Sequence, residues 1–287
     1  MDLSSYESNL RAWLAKPIAG IVAAGSTGEA PLLEREEHLH LVERTREVVG
    51  ERQVIAGTGA ESTAAVISLT AESASRGADA VLVRPPAYYR PAMTPEALRE
   101  HFLAVADASP IPVILYNIPV FAPVHLDPGL VGRLVEHENI VGIKDSSGDI
   151  ENLGALAEAC EGRARVVVGS GALLYSALEL GAVGGIVGVG LLAIGPVCEL
   201  FSAWQTGDGP RAGRLQERVG PLHNGVVKGL GVPGVKAALD RIGLVGGPPR
   251  PPLRPLSAKK QQELETILER AELLPAQPEH PVQTPTV

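Results

Sequence analysis

Three short motifs hold the residues of this sequence that could do chemistry. "IVGIKDSSGD" (140–149) sets Lys144 inside an apolar run that otherwise reads as a buried strand. "ILYNIP" (114–119) carries Tyr116 at the end of a similar run, and "GSTGE" (25–29) offers the hydroxyls of Ser26 and Thr27 in a turn flanked by glycines. Each has an ordinary structural reading: a lysine reaching solvent from a strand end, a core tyrosine with a satisfied hydroxyl, a capped strand-to-helix turn. Their joint occurrence favours a site. Apolar surroundings disfavour the charged form of an amine, and a neutral amine attacks a carbonyl to form a Schiff base. A phenol on the preceding strand is a proton carrier, and a glycine-opened turn with hydroxyl and N–H donors suits a carboxylate.

The chain must then supply elements that bring these motifs together. Seven short Val/Ile/Ala-rich runs, at 18–25, 53–59, 78–86, 111–119, 140–147, 165–171 and 181–190, alternate with helical stretches such as "LEREEHLHLVERTREVV" and "TPEALREHFLAVADA". The runs are nearly continuous rather than alternating, as expected for parallel strands covered on both faces. Almost every run ends in small or reactive residues. A (β/α) barrel gathers all its strand ends on one face, whereas an open doubly wound sheet shares only those at its switch point, so the pattern favours an α/β, TIM-barrel fold. The expected organisation is a barrel over 1–190, a helical region over 191–274 and a disordered proline-rich tail over 275–287.

Composition narrows the partner. With 287 residues, 45% of them hydrophobic, the chain can bury a large core, and its formal net charge of -8 argues against nucleic acid or an anionic membrane. A small molecule is the expected ligand. Two cysteines, Cys160 and Cys198, build neither a disulfide framework nor a metal site, which suits a cytoplasmic protein. The seven histidines form no ligand-spaced cluster, so no metal is expected, and an imine formed on Lys144 itself would need no other cofactor. The N-terminus has neither a basic segment nor an apolar core of the kind that directs export.

The three motifs, in this order and at these separations, resemble those of the pyruvate-dependent class I aldolases that include dihydrodipicolinate synthase and N-acetylneuraminate lyase. "AGTGAEST", "AYYRPAM", "SPIPVILY" and "GVPGVKAALDRIGLVGGPPRPPL" look most like the 4-hydroxy-2-oxoglutarate aldolase branch. The resemblance implies a (β/α)8 barrel with C-terminal helices, assembled as a homotetramer or homodimer, acting on a 2-oxo acid. It implies that Lys144 forms the imine, that Tyr116 shuttles the proton, and that Ser26 and Thr27 hold the pyruvoyl carboxylate. It further implies that Tyr89 enters a neighbouring subunit's site and completes a relay through Thr27 to Tyr116. Ser146 would touch the distal part of the substrate, and the backbones of Gly169 and Ile186 would line the pocket.

Two departures from the family pattern matter. Synthases of this family carry an arginine two residues after the proline of their "YNxP" motif, and here that position is Phe121. A phenyl ring cannot replace a bidentate guanidinium, which ranks aldol cleavage above the lysine-pathway synthase. The seven runs correspond to family strands two to eight, so the first strand is missing from this sequence; either a strand precedes residue 1 or another segment closes the gap. Two other readings stay open: a phosphate-binding barrel built on "GAVGGIVGVG", and a non-catalytic binder of 2-oxo acids.

Overall fold

The computed structural model describes residues 1–274, so the tail expected over 275–287 lies outside the described residues. All seven anticipated strands form: β1 (Gly20–Ala23), β2 (Gln53–Gly57), β3 (Ala80–Val83), β4 (Val113–Asn117), β5 (Ile140–Asp145), β6 (Arg165–Val168) and β7 (Gly184–Gly185). They pair in parallel in strict sequence order. The helices α1 (Leu3–Leu14), α2 (Arg35–Val49), α3 (Thr63–Ser75), α4 (Pro95–Ala108), α5 (Pro128–Leu134), α6 (Ile150–Cys160) and α7 (Leu174–Glu179) alternate with the strands. The result is a curled α/β sheet of the TIM-barrel kind. Among the described residues β1 and β7 remain edges, with no strand between them.

Strand alternation separates the two sides of the sheet. Val81, Val83, Val113, Leu115 and Ile143 pack outward with Val66, Phe102, Leu130 and Leu153 of the helices. Leu82, Ile114 and Tyr116 point the other way, toward Val22 and Ile55. Both faces are therefore buried, which explains why the strands read as continuous apolar runs. The helices start where side chains cap them: Thr94 accepts from Ala97 N–H ahead of Pro95, and Asp149 accepts from the N–H groups of Glu151 and Asn152.

The last apolar run, 181–190, yields only a two-residue strand before α8 (Gly190–Gln205) begins. β7 holds just two register positions against β6, fewer than the four by which the other edge strand, β1, pairs with β2. After α8 come α9 (Gly209–Leu222), a π-helical segment (His223–Leu230), α10 (Gly231–Arg241) and α11 (Ala258–Arg270). These pack around a second apolar cluster that also contains Leu10 and Trp13 of α1, with Ile21 of β1 and Val187 beyond β7 against it. Trp13 Nε1 donates to the Leu191 carbonyl at 3.1 Å, tying α1 to the start of α8. The helical region thus includes the chain's first helix and packs at the seam between the two sheet edges. No described helix is long and apolar enough to cross a membrane.

Candidate active site

Register places the first pair of candidate residues. Near its start β4 pairs Val113 with Ile140, but the next partner of Ile114 is Gly142, so one residue of β5 is bulged out. That shift sets Tyr116 beside Lys144; without it Tyr116 would stand opposite Ile143, and Lys144 would face the other side of the sheet relative to it. Gly142 is required there, because a Cβ on it would lie 2.6 Å from the Arg165 carbonyl oxygen.

Lys144 and Tyr116 are 8% and 6% exposed. Lys144 Nζ donates to Tyr116 Oη at 3.1 Å and lies 4.2 Å from the centre of its ring. Ser26 Oγ is 3.5 Å from the same phenol oxygen, so β4, β5 and the turn after β1 contribute to one polar chain. Thr27 Oγ1 lies 3.2 Å from where a Cβ on Gly188 would stand. The turn carrying both hydroxyls differs from its reading in sequence: Ala24 (φ 52) and Glu29 (φ 59) adopt left-handed backbone, and neither Gly25 nor Gly28 does.

The residues following Tyr116 and Lys144 point to the opposite face and hold the strand ends. Asn117 and Asp145 are fully or almost fully buried. Asn117 Nδ2 donates to Asp145 Oδ1 at 2.6 Å, Ser147 Oγ donates to Oδ2 at 2.7 Å, and Asn152 Nδ2 donates to Oδ1 at 3.3 Å. Asn117 Oδ1 accepts from Leu126 N–H. A buried carboxylate is tolerable only when it is satisfied in this way. Sequence reasoning missed this network, although its signal was present: a polar residue directly follows each candidate in a buried strand.

Gly169 backs the lysine. A Cβ there would lie 1.8 Å from Ser146 Oγ and 3.1 Å from Lys144 Cε, so the absence of a side chain leaves room for both. Ile186 is half-buried and donates its N–H to Val168. Beyond Gly169, the buried His223 accepts from Gly171 N–H at Nδ1, 3.2 Å, which leaves Nε2 to donate to Ser170 Oγ at 3.2 Å. Burial, helped by the positive charge of Lys228, pushes His223 down to about 4, keeping it neutral as this arrangement requires. Tyr89 stands apart: it is 71% exposed, edge-to-face with Tyr88 at 5.0 Å. Glu61 anchors that loop by accepting from the N–H groups of Ala87 and Tyr88.

Residues 1–271 match the Dihydrodipicolinate synthetase family. The chain belongs to that family. It is 35% identical to the 4-hydroxy-tetrahydrodipicolinate synthase of Thermodesulfovibrio yellowstonii, over 96% of this chain and 94% of that one. Its fold superposes with a TM-score of 0.91 on the dihydrodipicolinate synthase of Acinetobacter baumannii complexed with pyruvate, at 34% identity over 96% and 94% of the two chains. The synthase of Methylacidiphilum fumariolicum gives 0.90 at 37% identity, over 95% and 91%. As a dihydrodipicolinate synthetase family member, this chain is a carbon–carbon lyase of the pyruvate-dependent class I aldolase type. The 4-hydroxy-2-oxoglutarate branch is not singled out: these relatives carry synthase names.

Proposed function

We propose that Lys144 forms a Schiff base with pyruvate, or with the pyruvoyl part of a 2-oxo acid, and that the chain makes or breaks the carbon–carbon bond at the pyruvate methyl carbon. The observation that carries this reading is the buried 3.1 Å contact between Lys144 Nζ and Tyr116 Oη. The Lys144 amine adds to the ketone, and loss of water gives an iminium. In condensation, a proton leaves the methyl carbon, and the resulting enamine attacks an aldehyde. Tyr116 then delivers a proton to the new alkoxide, and water releases product and free lysine. Cleavage runs the same steps backward, with Tyr116 taking the proton of the 4-hydroxyl. Ser26 and Thr27 would hold the carboxylate, with Ser26 linking the turn to Tyr116 through its 3.5 Å approach. Ser146 would meet the distal part of the substrate, and Gly169 and Ile186 would line the pocket. The imine supplies the electron sink, so the chemistry needs no added cofactor.

The aldehyde partner has two readings. The names of the relatives support 4-hydroxy-tetrahydrodipicolinate synthase, which condenses pyruvate with aspartate semialdehyde. Phe121, 64% exposed where synthases of the family place an arginine, favours aldol cleavage of a 4-hydroxy-2-oxo acid such as 4-hydroxy-2-oxoglutarate. The exposed Tyr89 suits insertion into a second copy's site within a homodimer or homotetramer.

The test is intact mass after incubation with pyruvate and sodium borohydride. A pyruvate-sized adduct on the native chain and none on Lys144→Ala is the expected result; no adduct on the folded native chain overturns the proposal. Turnover of aspartate semialdehyde plus pyruvate, set against pyruvate release from 4-hydroxy-2-oxoglutarate, then assigns the partner.

A further inference from the structure

Glu29 closes the turn that carries Ser26 and Thr27. Its N–H donates to the Ser26 carbonyl at 3.2 Å, and it adopts left-handed backbone, which a non-glycine residue keeps only when its surroundings hold it. Those surroundings come from the far end of the chain. Glu29 is 7% exposed, Lys236 of α10 donates to its Oε2 at 2.8 Å, and the backbone N–H of Arg250 donates to Oε1 at 2.7 Å. The Arg250 guanidinium in turn grips Glu37 with two bonds, at 2.8 and 2.6 Å, and reaches the Leu32 carbonyl. The backbone carrying Lys236 is itself fixed, since a Cβ on Gly246 would stand 1.9 Å from the Lys236 carbonyl oxygen.

This arrangement sets a full negative charge two residues from Thr27, in the turn assigned to an anionic substrate group. A buried carboxylate there would repel a 2-oxo acid unless a cation offset it. We infer that Glu29 and Lys236 are a positioning pair for the carboxylate turn: Glu29 locks the left-handed turn onto the C-terminal helices, and Lys236 cancels the charge that Glu29 brings beside the substrate. The inference rests on the reading of Ser26 and Thr27 as the carboxylate turn. It gives the C-terminal helices a share in substrate binding although the Schiff-base lysine lies on β5.

The experiment compares pyruvate with its methyl ester, which has the same ketone but no carboxylate charge. Imine formation is trapped with cyanoborohydride and counted by intact mass, giving a half-saturating concentration for each compound. Lys236→Met leaves Glu29 uncompensated and is expected to raise the value for pyruvate about tenfold, while the ester changes by less than about twofold. Glu29→Gln leaves Lys236 uncompensated and shifts the ratio the other way, toward pyruvate. The double variant restores the native ratio. A purely structural role moves both compounds together, so an unchanged ratio in the single variants overturns the inference. Should Lys236→Met fail to fold, the sign of the Glu29→Gln shift decides alone. Lack of any adduct on the native chain, with either compound, overturns the Schiff-base reading and this inference with it.

Discussion

The ends of β4 and β5 and the loops that rim them lie at the same mouth of the barrel, yet they are built by opposite rules. At the strand ends every polar group has a partner. Lys144 meets Tyr116, Tyr116 meets Ser26, and Asp145 is satisfied by Asn117, Ser147 and Asn152. On the rim, large apolar or aromatic side chains stand in solvent: Tyr88, Tyr89, Val120 and Phe121 are each 64% exposed or more. The contrast separates two tasks. The proposed chemistry needs an amine and a phenol held within hydrogen-bond reach before substrate arrives, and a packed, satisfied interior fixes them so. The rim faces whatever enters, whether the second substrate or a second copy of the chain, and its contacts are left open by the chain itself.

Breaking the interior should have the largest effect. Tyr116→Phe keeps the ring that packs against Lys144 and removes the hydroxyl, so turnover is expected to fall by about 10²-fold or more while borohydride still traps the imine. Steady-state rates measured beside trapping yields separate the two outcomes. Turnover within a few-fold of native would show that the proton travels by another route.

How far the sequence revealed this interior depends on which force places each residue. The strands were legible because burial on both faces leaves an apolar run, and Lys144 was conspicuous because it interrupts one. The contact with Tyr116 depends on the register shift that leaves one residue of β5 unpaired between Ile140 and Gly142, a matter of hydrogen-bond register that no apolar pattern encodes. The turn at 25–29 was legible as a turn, but its left-handed residues are Ala24 and Glu29, and Glu29 is held by contacts with residues more than two hundred positions away. The final strand was overestimated because its glycines and valines read as a full strand, whereas only Gly184 and Gly185 pair with β6. Composition gave no sign of Glu29 or Lys236, since each looks like an ordinary surface charge until α10 packs against the turn.

A smaller effect should appear with acid. His223 has a folded pKa near 4 against about 6.5 in an unfolded chain, so the folded state favours the neutral ring. Its contribution is complete above about pH 6.5 and is lost as pH falls toward 4, amounting to as much as about 2 kcal/mol between pH 7 and 5. Urea unfolding at the two pH values should show that difference shrinking in His223→Asn, whose amide does not titrate. An unchanged pH dependence would mean that the ring is already protonated in the fold and that its bond from Gly171 N–H is not kept.

The smallest effect is expected on the rim, and it tests the comparison from its other side. Phe121→Ser and Tyr88→Ser remove side chains that are 64% and 80% exposed, so little apolar surface returns to water on unfolding. Each should change the stability of a dilute monomer by less than about 0.5 kcal/mol. The same substitutions should alter the choice of aldehyde or the tendency to associate, because those are the contacts that the exposed side chains remain free to make. Unfolding curves at several protein concentrations distinguish the cases: a loss of stability that grows with concentration locates the rim in an interface between copies. A loss of 2 kcal/mol or more that is independent of concentration would show that the rim belongs to the packed interior after all, and the division between a self-sufficient catalytic core and an open rim would fall.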